Sequence, residues 1–187
     1  MAKCLSLAQR AVDTRQDDYR ILGWASFSYL QCGEPMAKVN ALIDRAIALN
    51  PGDSVTYYTY GFNSIFAPNP RLALDAFETL LRLDPRSPWR FVTLAGQALA
   101  LFQLDRFEEV FPLLTEALEH SPAFRPIFSR VLAAAYALSG KVDEARTVAG
   151  DALYLDPASE AFFDLVRDGS LKPKVAEGLR LARGDAP

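Results

Sequence analysis

The sequence predicts an all-α protein, a right-handed superhelical solenoid of about eleven short helices stacked as helix-turn-helix units. Three observations carry this expectation. Asn50-Pro51, Asp84-Pro85, Pro122 and Asp156-Pro157 close segments at near-constant spacing, with 34 residues from Pro51 to Pro85. Each segment reads as two amphipathic helices around a turn, most plainly in residues 132–157, which hinge at Ser139-Gly140. Small residues, Ala145, Ala149 and Ala152, recur where two helices must approach closely. A fixed period of this kind marks an architecture in which each unit buries its apolar face on its neighbours.

Taken in order, residues 1–16 read as the second helix of a unit whose first helix is missing, with Leu5, Ala8, Ala11 and Val12 on one face. This half repeat is expected to be an N-terminal cap or the edge of something longer. Repeat 18–51 follows, with Leu22, Ala25-Ser26 and Tyr29 on its first helix and Val39, Ile43, Ala46 and Leu49 on its second. Its first helix carries one residue more than the ideal period. Asp53 and Ser54 are N-cap candidates for the next helix, because a side-chain oxygen there satisfies a free first-turn N–H.

Repeat 53–85 places Tyr57, Tyr60-Gly61, Ala73, Phe77 and Leu80 at matching sites, and the turn Ala67-Pro68-Asn69-Pro70 stops one helix and starts the next. Repeat 87–122 ends on Pro122, 37 residues after Pro85, so three residues beyond the 34-residue period must be accommodated in its first helix or in the turns. Asp105 and Glu108 are spaced as a capping pair, and Pro112 should kink or shorten the second helix. Repeat 124–157 is the most regular. Capping helices fill 158–183, broken at Asp168-Gly169-Ser170, and Lys172, Lys174, Glu177, Arg180 and Arg183 give the last one a polar side. All of this reads as one domain, 1–187.

Composition narrows the function classes. The chain has 20 Lys+Arg against 23 Asp+Glu, a net charge of −3, and neither sign forms blocks. No electrostatic footprint for nucleic acid or an anionic membrane follows. No apolar run is long enough to span a membrane. Residues 1–7 hold no signal-peptide core. Cys4 and Cys32 are too few for a disulfide framework and have no metal-ligand spacing with His120, so two reduced thiols packed as small hydrophobes in a cytoplasmic protein are expected. His120 stands in the loop before Ser121-Pro122 without a nucleophile pattern near it. Asp17-Asp18 and Glu108-Glu109 fall at helix starts, where capping accounts for them. No enzyme and no cofactor are expected.

Leu132-Ala133, Tyr136, Gly140, Ala145, Ala149, Ala152 and Pro157 fall at the spacing of the tetratricopeptide repeat (TPR), and the whole chain resembles that family. More narrowly, Leu83-Asp84-Pro85-Arg86-Ser87-Pro88-Trp89, residues 130–145 and Val175-Ala176-Glu177-Gly178-Leu179-Arg180 resemble the C-terminal repeat region of bacterial signalling proteins with an adenylate-cyclase or winged-helix output domain upstream. The resemblance implies an array that receives a protein or peptide partner or relays a state. In the family the first helices line a concave side. Tyr58, Phe62 and Ile65 recur at i, i+4 and i+7 there, with Phe27, Arg130 and Ala134 in comparable places. These six residues are the candidate partner-binding set, with Arg130 meeting a carboxylate or carbonyl. Core packing is the competing account of the aromatics. Phe27 and Phe62 stand where one family branch carries basic residues for acidic tails, so that ligand is not expected. The alternative is homodimerisation through the open half repeat.

Overall fold

The computed structural model describes residues 2–120, 125–150 and 153–185. Among them the backbone forms eleven α-helices and no strand, so the all-α expectation holds. The chain divides into two compact units, Met1–Ser87 and Pro88–Pro187, where the sequence reads as one domain.

The first unit holds α1 (Ala2–Thr14), α2 (Tyr19–Gln31), α3 (Met36–Leu49), α4 (Ser54–Phe66) and α5 (Pro70–Leu83). Helices α2 and α3 pair, α4 and α5 pair, and α2 joins the pairs by packing on α4. Short polar residues start these helices. Asp18 accepts from Arg20 N at 3.0 Å, Asp53 from Thr56 N at 2.8 Å, and Asn69 caps α5 just before Pro70. Leu22, Val39 and Ile43 form the core of the first pair, and Ile65, Phe77 and Leu80 that of the second. Gly61 is required at the α4–α5 crossing, since a Cβ there would lie 2.4 Å from the Phe77 ring. Where α2 meets α4, the Ser26 hydroxyl donates to Gly23 O at 2.6 Å and so accepts from Asn63 Nδ2 at 2.8 Å. That buried chain of hydrogen bonds ties one repeat to the next.

The second unit holds α6 (Arg90–Gln103), α7 (Phe107–His120), α8 (Arg125–Leu138), α9 (Val142–Ala149), α10 (Pro157–Phe163) and α11 (Leu171–Arg183). Helices α6 and α7 pair, α8 and α9 pair, and α11 packs extensively on α8.

Several local expectations are corrected. The extra residue of the first repeat lies in the turn Cys32–Pro35 rather than in α2, which matches α4 in length. The three extra residues of the third repeat lie mostly in the six-residue link 84–89, with one in α6. Helix α7 runs through Pro112 unbroken and at full length. Pro112 is on its exposed side, where water can take the carbonyl that loses its donor. Asp105 does not pair with Glu108 as a cap. It takes a left-handed conformation, φ 60°, and binds Lys174 Nζ at 2.8 Å. Helix α9 stops at Ala149 because Gly150 turns to positive φ. Ala152 and Pro122 lie outside the described residues.

Candidate functional site

In the first unit, helical spacing and the α2–α4 contact assemble a strip of aromatic rings. Trp24 and Phe27 are three apart on α2, and Tyr58, Phe62 and Phe66 are four apart on α4, so each set lies on one face. Gly23 lets the helices close: a Cβ there would sit 3.2 Å from Thr59 Oγ1. Ring centroids then lie 6.0 Å apart for Trp24–Tyr58 and 6.3 Å for Phe27–Phe66, which joins the helices. Tyr58–Phe62 at 4.9 Å and Phe62–Phe77 at 5.2 Å carry the strip inward to the core.

Exposure falls along the strip. Trp24 is 42% exposed, Phe27 and Tyr58 are half-buried, and Phe62 is only 6% exposed. Burial pushes the Tyr58 phenol above its ordinary pKa. Two of the expected surface residues are therefore core. Phe62 is wedged among Tyr58, Phe66 and Phe77, and Ile65 is fully buried. The residue the sequence reading passed over is Trp24, which shares the face of Phe27 one turn earlier. Its signal was an indole at i−3 from a candidate, which the repeat signature does not use.

In the second unit Arg130 and Ala134 are also inside. The Arg130 side chain is 8% exposed, and its guanidinium is committed internally. Nε donates to Tyr154 O at 2.6 Å, a second nitrogen to Pro126 O, and Nη2 pairs with Asp156 at 3.1 Å. This clamp draws residues 154–156 onto α8, so Arg130 is not a surface receptor for a partner carboxylate. Asp156 also caps α10 by accepting from Ser159 N at 2.7 Å, and its carboxyl lies below the usual carboxylate range, chiefly through Ser159 and secondarily through Arg130. Ala134 is fully buried because α11 crosses it: a Cβ on Gly178 would lie 2.6 Å from Ala134 Cα.

His120 is exposed at the end of α7, with Nδ1 3.0 Å from Glu116 O. Among the described residues no cluster of three or more His, Cys, Asp or Glu is arranged to hold a metal, and no helix is long and apolar enough to cross a membrane.

Successive paired helices, of 13 or 14 residues except for the shorter α9, with glycine at close crossings and an open aromatic face on α2 and α4, define a helical-repeat protein. No family model matches the chain, and no curated protein matches its sequence. Among solved structures the chain is similar to YrrB, described as a TPR protein with an unusual peptide-binding site. The two share 18% identity over 95% of this chain and 96% of YrrB, with a TM-score of 0.62. That likeness shows the tetratricopeptide-repeat fold.

Proposed function

We propose that the chain is a non-catalytic protein-interaction module that holds a partner peptide or helix on the α2–α4 face of the first unit, anchored by Trp24, Phe27 and Tyr58. The observation that carries this reading is Trp24, a large indole 42% exposed yet in ring contact with both Phe27 and Tyr58. A rigid aromatic group held in place by neighbours loses little freedom on binding, and Trp and Tyr dominate binding hot spots. The peptide-binding site ascribed to YrrB supports the same reading by analogy of fold. The finer resemblance of residues 83–89, 130–145 and 175–180 supports a regulatory role beside a signalling output domain.

Peptides selected from a random phage-displayed library on the wild-type protein test the face. Trp24→Ala should weaken them about 30-fold, the equivalent of ~2 kcal/mol, while changing stability by less than ~1 kcal/mol. Selected peptides that bind Trp24→Ala equally well would overturn the site.

Helix α1 favours a second reading, self-association. It has no buried residue, and Leu7 is 51% exposed on it. Light scattering should then show a concentration-dependent dimer that Leu7→Glu returns to monomer. A monomer at all concentrations removes this reading.

A further inference from the structure

Cys4 and Cys32 are the only cysteines in the chain. The fold brings them together although 27 residues separate them in sequence. Cys4 is exposed in the first turn of α1, and half-buried Cys32 is the C-cap of α2. Helix α1 packs on α2, and the Tyr29 hydroxyl donates to Gln9 Oε1 across that contact. From this bond Cys4 lies five residues back along α1, about 7.5 Å, and Cys32 three residues forward along α2, about 4.5 Å. In an antiparallel pair both steps lead to the same end, where Cys4 is one of the groups that raise the Cys32 thiol.

We propose that Cys4 and Cys32 form a reversible disulfide that fastens α1 to the end of α2. The oxidant is a low-molecular-weight disulfide of the glutathione class. The Cys4 thiolate attacks one sulfur of that disulfide, forming a mixed disulfide and releasing one glutathione thiolate. The Cys32 thiolate then attacks Cys4 Sγ and releases the second. Two protein thiols are oxidised by two electrons, one glutathione disulfide is reduced to two thiols, and the two protein protons pass to the leaving thiolates.

The order of attack follows from the site. Cys4 is open to solvent, whereas burial first and the neighbouring Cys4 second push the Cys32 thiol up, which lowers its thiolate fraction and suits it to the resolving step. The consequence is mechanical. Helix α1 contributes no buried side chain, so few contacts hold it, and a crosslink would secure it on the helix that carries Trp24.

The test is incubation of the wild-type protein with oxidised glutathione, followed by thiol titration, tryptic mapping without reduction and a thermal melt. The expected product is a monomer with both thiols lost and peptide 4–10 linked to peptide 21–38. Its melting temperature should rise by ~5 °C or more over the reduced protein. Dithiothreitol should reverse the change, and Cys4→Ser, a substitution at an exposed position, should fold but show no rise. Two free thiols, a stable glutathione adduct on Cys4, or crosslinks only between chains would overturn the proposal. A linked peptide with an unchanged melting temperature would overturn the fastening of α1.

Discussion

Phe27 of the first unit and Ala134 of the second each precede a signature tyrosine, Tyr29 or Tyr136, by two residues, yet they meet opposite fates. Phe27 is half-buried on an open aromatic face, while Ala134 lies fully buried under α11. The difference is one of side-chain size. Gly178 and Ala134 are both small, so the two helix backbones can nearly touch. Trp24, Phe27 and Tyr58 are large, and their rings stand between the α2–α4 backbones and anything that approaches this face. What a repeat offers to a partner is set by what packs on it and not by the signature positions that build it.

The comparison can be broken at its inner edge first. Phe62→Ala removes the ring that joins the exposed aromatics to Phe77, and about 3 kcal/mol or more of stability should be lost in urea unfolding. A loss under ~1 kcal/mol would mean that the strip does not continue into the core. Gly178→Leu comes next. Its side chain would collide with Ala134 backbone atoms rather than with a flexible group, and about 2 kcal/mol should be lost as α11 is displaced. A neutral outcome would mean that the second unit is as open at Ala134 as the first is at Trp24.

The smallest effect sharpens the Arg130 clamp. The Asp156 carboxyl has a folded pKa lowered by Ser159 and then Arg130, so its contribution is complete above the unfolded value near 4 and is lost as pH falls through the folded one. The melting-temperature gap between wild type and Asp156→Asn should therefore be widest near neutral pH and close below about pH 4. A gap that persists in acid would assign Asp156 a role that does not depend on its charge.

Much of the fold was legible because period, proline and cap chemistry are local. Asp53 and Asn69–Pro70 mark helix starts through groups only a few residues away, and Gly61 and Ala73 mark crossings whose partners sit at fixed repeat offsets. The candidate site was less legible. Tyr58, Phe62 and Ile65 share a helical face in sequence, but that face is wider than the strip left uncovered, and spacing does not say where cover ends. The sequence also held both ends of the Arg130–Asp156 pair and both thiols, at separations no repeat period relates.

By itself, then, the sequence determined the helices, their pairing and the size of residue at each crossing, since these follow from interactions within one repeat length. Only the tertiary structure decided that Phe62 and Arg130 are interior while Trp24 is not, that α11 seats on Ala134, and that α1, with Cys4, packs on the helix that Cys32 ends. Those outcomes depend on which surfaces remain after distant helices have packed, and burial of that kind is a property of the assembled chain rather than of any local pattern.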